Sequence, residues 1–428
     1  MDERRLRVLR IYHAGRDRSH RARERALVAA GVDVVLVVPS SWPESGSEST
    51  LSDEPFEVVS LSVSRGGDVN RHRYADPAAL AAVIRRVAPD LVDLHEEPFS
   101  AATHQVLAAL PAGTPAVGYT AQNLDKRYPP PFTSWERQAF RRLSAIAPCS
   151  RQAASVIRGR GFAGLIEVLP LGHDAAVFAP GEQRHSDDVF QVALAGRLVP
   201  EKGVADAVEA LAEVRRHRKA RLVVVGSGPE AARIPELASQ WGVTGHVELL
   251  PWADEAELAG IYRASHVVVV PSQATSRWVE QFGRGVVEGQ ACGAAVAGYA
   301  RGTIPAVAAG GAWLAAEGDR VGLARAVARL GQDPVEWEAL RSRGMAAAQD
   351  KQWDVVAARQ AELYARAVVA GPLPPTRAGS ASRAAARQEF GAPAVTGDGQ
   401  QRPFAVPVLR DQPRVGRAIG ALADLTRR

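Results

Sequence analysis

A set of short, unbroken apolar runs, each closed by turn residues, restricts this chain most. Val32–Val38 is one, and Val267-Val-Val-Val270, closed by Pro271 and Ser272, is another. A strand with one wet face alternates apolar and polar residues. An unbroken run needs cover on both faces, as in the parallel sheet of an α/β protein. Segments of helical period separate the runs. In the first half, strands are expected over 6–13, 32–38, 56–63, 91–94 and 116–119, with helices over 19–30, 77–87, 101–110, 135–143 and 152–160. The pattern lapses over 172–188, a polar, turn-forming stretch that reads as a linker. A second series follows, with strands over 190–195, 222–225, 247–250 and 267–270 and helices over 204–216, 230–241 and 255–264. An alanine-rich helix ending near Val369 closes it. The expectation is two doubly wound α/β domains, 1–172 and 189–370, facing each other across a cleft, and a tail, 371–428.

Composition narrows the class. A chain of 428 residues is too long for one ordinary core. No apolar run is long enough to span a bilayer, and Met1-Asp-Glu-Arg-Arg lacks an apolar signal region, so a cytoplasmic location is expected. Cys149 and Cys292 stand far apart and suggest neither a disulfide framework nor a zinc site. The net charge of +5 lies wholly in the tail, where residues 371–428 hold nine arginines against four acids. The body has no basic face with interleaved aromatics, which argues against nucleic acid and leaves peripheral membrane contact through the tail as the basic partner surface. Residues 371–405, dense in Pro, Gly, Ser, Ala and Arg, are expected to be disordered, and Val415–Leu425 to form a short amphipathic helix.

Several polar groups fall at expected strand ends, where open parallel sheets bind ligands. Glu280-Gln-Phe-Gly-Arg-Gly-Val-Val-Glu288 places two acids either side of a glycine elbow at the start of a helix. Free backbone N–H groups and the helix dipole attract anions there, and a carboxylate beside an anion suits ribose or sugar hydroxyls. By spacing alone, both glutamates are equally well explained as solvated helix-entry residues. Gly196-Arg197-Leu-Val-Pro-Glu-Lys202-Gly203 sets two cations where the helix dipole disfavours them, unless an anion such as a diphosphate is held. Val225-Gly-Ser-Gly-Pro229 fits a phosphate loop or a tight turn. His95-Glu96-Glu97-Pro98, Gln122-Asn123-Leu-Asp125-Lys126 and the pair Gly15 and Arg16 are three further polar strand ends. His95 alone reads as structural or catalytic.

Taken together, Gly196-Arg197…Glu201-Lys202-Gly203, Val225-Gly-Ser-Gly and Glu280-x-Phe-Gly…Glu288…Cys292-Gly293 resemble the motifs of glycosyltransferase family 4, in the same order. Gly302-Thr-Ile-Pro305 and Leu169-Pro-Leu-Gly172…Phe178 resemble two more of its segments. The likeness spans roughly residues 6 to 369. It implies a GT-B fold of two Rossmann-like domains, the first binding acceptor and the second the nucleotide-sugar donor. It also implies transfer with retention of anomeric configuration, without a metal or any cofactor beyond the donor. Arg197 and Lys202 would hold the donor diphosphate, with Gly196 in the same loop. Glu288 would bind the ribose and Glu280 the donor sugar, while Phe282, Gly283 and Arg284 supply backbone against sugar and phosphate. His95 would stand beside the donor sugar, and Gly15 and Arg16 in the first loop near acceptor and diphosphate. Partners would be a nucleotide sugar and an acceptor that is a small molecule, a glycan or lipid-linked. The chain departs from the family pattern at Arg16, where a second glycine is common, at Gly289 in place of alanine, and at Ala306 in place of glutamate. Other readings are another GT-B activity, such as a nucleotide-sugar epimerase or phosphorylase, or a non-catalytic sugar-nucleotide scaffold.

Overall fold

The computed structural model describes residues 5–43, 51–181, 188–372 and 383–392. Among the described residues, nine strands belong to the first part of the chain: β1 (Arg7–Ile11), β2 (Asp33–Pro39), β3 (Glu57–Leu61), β4 (Val63–Ser64), β5 (Arg73–Tyr74), β6 (Leu91–Leu94), β7 (Ala116–Thr120), β8 (Ala145–Pro148) and β9 (Leu165–Ile166). Seven of them form one parallel sheet in the order β3-β2-β1-β6-β7-β8-β9, and β4 and β5 make a small antiparallel pair. The second part carries β10 (Phe190–Ala195), β11 (Ala220–Val225), β12 (Val247–Leu250), β13 (Val267–Val270), β14 (Ala295–Tyr299) and β15 (Ala312–Ala315). These form a second parallel sheet in the order β12-β11-β10-β13-β14-β15. The unbroken apolar runs are central strands, as their two-sided burial requires: Val34 to Val38 and Val267 to Val269 are all buried.

Strand order reverses between β1 and β6 in the first sheet and between β10 and β13 in the second. The loops leaving these four strands therefore splay apart and open a crevice at each switch point. They are the segments after Ile11, Leu94, Ala195 and Val270, where four of the six polar strand ends fall. The core is built in layers, with one apolar cluster on each face of each sheet.

Several boundaries move. The expected 19–30 helix begins as a 3-10 turn at Arg18–Arg21 and becomes α-helical only at Ala22–Ala29. The 230–241 helix is divided into a 3-10 turn, Pro229–Arg233, and a helix, Ile234–Gln240, each with a proline in its opening positions. The linker reading of 172–188 falls partly outside the described residues.

Two domain assignments need correction. Helix Trp353–Ala370, placed with the second domain at 189–370, packs on the first sheet beside helix Ala22–Ala29. Val356, Ala357, Leu363, Tyr364 and Ala367 share an apolar cluster with Val8, Leu27 and Val34. A buried polar network fixes the position. Tyr364 and Gln360 reach Asp93 on β6, which also pairs with Arg10 on β1, and Arg10 Nε donates to Glu24 at 2.8 Å. The tail is also structured in part. Arg383–Phe390, inside the stretch expected to be disordered, forms a helix against Arg151–Gly159. Ala386 is buried, and Glu389 pairs with Arg158 at 3.1 Å. An alanine-rich, proline-free run has the propensity to coil, and that contact supplies what so short a helix lacks alone. The expected Val415–Leu425 helix lies outside the described residues. Among the described residues no helix is long and apolar enough to cross a membrane.

Candidate active site

The Gly196–Gly203 loop leaves β10 and turns through a 3-10 segment, Pro200–Lys202, before helix Val204–Arg215. Gly203 makes the join at φ +68°, and a side chain there would stand 2.4 Å from the carbonyl of Pro271. The Gly226-Ser-Gly228 turn lies directly beneath this loop. A Cβ on Gly226 would sit 1.9 Å from the carbonyl oxygen of Gly196, so the segment is a packing support for the loop that carries Arg197.

On the facing loop Glu280 is buried, and its carboxylate is gripped from two sides. Lys202 Nζ lies 2.6 Å from Glu280 Oε2, and Ser272 Oγ donates to the same oxygen at 2.9 Å. Lys202 also stands over the Trp278 ring, 5.0 Å from its centre. The backbone carbonyl of Glu280 is held too. It accepts from Asn123 Nδ2 at 2.9 Å, a bond from the first domain, and from Thr303 Oγ1 at 3.2 Å. A loop fixed at both its carboxylate and its carbonyl is pre-organised.

Gly283, at φ +89°, caps helix Arg284–Ala291, whose N-terminus opens into the cleft. Phe282 is buried beneath it in the core of the second domain. Glu288, one turn in, is bound by Arg284 Nε at 2.9 Å, and Arg284 Nη2 also reaches Glu255 at 3.6 Å. Glu288 and then Glu255 hold the Arg284 guanidinium above its ordinary pKa. Arg284 lines the cleft, and its side chain holds the carboxylate of Glu288, the ribose candidate.

These residues border one cavity of about 700 Å³. Gly196, Arg197, Lys202, Glu280, Phe282, Gly283, Arg284 and Glu288 all line it, with Tyr119, Ala121 and Cys149 closing it from the first domain. Three expected residues do not. His95 lines an adjoining cavity of about 140 Å³ that shares Ser19, His20, Glu255 and Arg284 with the larger one. Burial, then the charges of Arg23 and Arg10, hold the His95 imidazole well below its ordinary pKa. Arg23 Nη1 stands 3.3 Å from His95 Nδ1, and a guanidinium can only donate. The His95 proton therefore sits on Nε2, in a neutral ring stacked on Tyr119 at 3.9 Å. Gly15 and Arg16 border neither cavity. Gly15 is buried against Tyr12, Leu36 and Val38, and the carbonyls of both residues accept from Arg21. Their loop reaches the cleft through Ser19 and His20 instead.

Sequence reasoning named Ser272 and Asn123 without a contact for either and did not single out Trp278. Ser272 and Asn123 fall at strand ends already singled out, whereas nothing near Trp278 in sequence signals its place over Lys202.

The family model described as "Glycosyltransferase Family 4" matches residues 24–177, and the one described as "Glycosyl transferases group 1" matches residues 179–350. The chain belongs to glycosyltransferase family 4. A D-inositol 3-phosphate glycosyltransferase of Streptosporangium roseum is 34% identical over 250 residues, 54% of this chain and 56% of that protein. The chain spans about half the length of the curated relatives it matches. Among solved structures, sucrose-phosphate synthase from Thermosynechococcus elongatus superposes with a TM-score of 0.67 at 20% identity, over 86% of this chain and 100% of that one. Anabaena HepE in complex with UDP-glucose superposes with a TM-score of 0.62 at 17% identity, over 84% of this chain and 99% of that one. At these identities the likeness is one of fold, the GT-B arrangement of this family 4 chain.

Proposed function

We propose that this chain transfers a glycosyl group from a nucleoside diphosphate sugar to an acceptor held mainly by the first domain, with retention of configuration. The observation that carries the reading is the meeting of Arg197, Lys202, Glu280 and Glu288 around one cleft. Two cations and a helix N-terminus suit a diphosphate; two oriented carboxylates suit sugar and ribose hydroxyls. On donor binding, Lys202 exchanges part of its contact with Glu280 for phosphate oxygens, and Glu280 turns its accepting oxygens to the sugar. As the glycosidic bond lengthens, negative charge grows on the departing diphosphate, and Arg197 and Lys202 stabilise it. The acceptor hydroxyl attacks from the same face and passes its proton to the leaving phosphate. His95, neutral with its proton on Nε2, donates to a donor-sugar hydroxyl at the junction of the two cavities.

The likeness to a fold that holds UDP-glucose makes UDP the base to test first. Thermal shift of the purified chain with UDP-, GDP- and dTDP-sugars is expected to show stabilisation by a UDP-sugar, as linkage requires of a ligand that binds only the folded state. Stabilisation by none of them would sink the reading.

A further inference from the structure

His13, His72 and Glu96 come from three separated segments of the first domain, at the ends of β1 and β6 and in the loop before β5. Their ligating atoms all lie within 4.8 Å of one another. The cluster borders neither of the two cavities of the cleft. Trp42 covers it, 4.7 Å from the His13 ring centre and 5.1 Å from that of His72.

Its hydrogen bonding is incomplete in one particular way. His72 is fully buried, and its Nδ1 lies 3.2 Å from the carbonyl oxygen of Asp68. A carbonyl only accepts, so Nδ1 carries the proton and Nε2 presents a bare lone pair. Among the described residues that Nε2 has no hydrogen-bond partner, and it faces Glu96 Oε1 at 3.9 Å. A lone pair aimed at a carboxylate in a buried place is unfavourable unless something positive lies between them. Zinc bonded to both at ordinary lengths would set them about 3.3 Å apart, so binding an ion draws the pair together from 3.9 Å. His13 completes the set: its Nδ1–H donates to the Glu96 carboxylate, 2.8 Å from both oxygens, and gives up that proton to solvent when the nitrogen ligates, while its backbone N–H donates to Oε1 at 2.8 Å.

We propose that His13, His72 and Glu96 form a binding site for one divalent transition metal ion, with zinc the best match. Two imidazole nitrogens and one carboxylate oxygen are a zinc donor set, and three protein ligands leave a fourth position open. The Nδ1 bond from His72 to Asp68 is the outer contact that fixes the tautomer of a metal-binding histidine. The ion would tie the loop after β1, which carries Ser19 and His20 into the cleft, to the β6 end that carries His95. Its role is to position the acceptor side of the cleft. The donor chemistry proposed above does not run through it, and the site stands or falls independently of that reading.

The test uses the tag-free full-length chain, stripped with chelator, equilibrated with zinc chloride, desalted and assayed for metal by atomic emission. One zinc per chain is expected. His72→Gln and His13→Gln should each weaken binding at least about tenfold, since even losing an outer contact costs that much. The second variant changes the more exposed ligand and guards against misfolding of the first. Cobalt added to the stripped wild-type chain should give visible absorption of a tetrahedral or five-coordinate site. No stoichiometric zinc in the wild-type chain, or equal zinc in both folded variants, would overturn the proposal.

Discussion

At Lys202 and Glu280 the charge that serves the site is also the charge that holds it together. Lys202 Nζ lies against both the Glu280 carboxylate and the Trp278 ring, so Lys202→Ala removes both the proposed diphosphate ligand and a restraint on Glu280. Turnover should fall at least about tenfold, the low end for losing a charge-stabilising group. Arg197→Ala should do the same without loosening Glu280. Steady-state kinetics with the stabilising donor sugar decide both, and unchanged turnover would remove the diphosphate assignment. A second prediction concerns Glu97, whose carboxyl accepts from Thr120 Oγ1 at 2.6 Å and the Ala121 N–H at 2.9 Å. Burial outweighs those bonds and pushes its pKa up to about 7. Because the folded state then holds the proton more tightly than the unfolded one, the stabilisation it brings is complete below the ordinary carboxylate value. It is lost as pH rises through about 7. Glu97→Gln should flatten that fall in a melting-temperature profile against pH, and an unchanged slope would count against the assignment. At this scale the sequence exposed Arg197, Lys202, Glu280 and Glu288, because strand ends and helix starts are local signals. Trp278 was invisible: its position over Lys202 depends on how a loop folds back.

Among elements, the Gly226-Ser-Gly228 turn shows how a weak motif acquires a definite task. Its sequence fits a phosphate loop or a turn equally well; the close approach to the Gly196 carbonyl makes it the floor of the Arg197 loop. Gly226→Ala should therefore cost about 1–3 kcal/mol of stability through backbone strain alone. It should also weaken stabilisation by the donor, although residue 226 borders no part of the cleft. Urea unfolding and donor-dependent thermal shift measure the two effects. Strands rich in valine were legible because β-branched runs have few other uses. By contrast β8, Ala-Ile-Ala-Pro, and β14, Ala-Val-Ala-Gly-Tyr, are too short or too alanine-rich to signal a strand. Their pairing partners make them strands.

For the whole molecule, the chain's return to its first domain is the main departure from a simple two-part reading. Helix Trp353–Ala370 follows the second domain in sequence yet completes the first, so both domains are linked twice, at 172–188 and again near 352. Tyr364→Phe tests this tie. Its hydroxyl contacts Asp93, Gln360 and Arg10, all buried. Its loss should destabilise the fold by about 1–3 kcal/mol, the cost of leaving buried polar groups short of a partner. Chemical denaturation reads this directly, and a neutral outcome would show that the network is not what holds the helix. The domains also meet beside the cleft, through Asn123 to the Glu280 carbonyl and Gln152 Nε2 to the Gly302 carbonyl at 2.8 Å.

By itself the sequence determined the two α/β series, the switch-point loops and the charged residues at their strand ends, because apolar periodicity and strand-end chemistry are written within a few residues of each other. It also carried the family motifs in order. Only the tertiary structure decided which side chains share a cavity. It set His95 in a side chamber, left Gly15 and Arg16 outside both cavities, and brought His13, His72 and Glu96 together from segments up to 83 residues apart. Proximity across such separations is set by sheet order and by packing between layers. Neither leaves a local trace in the chain.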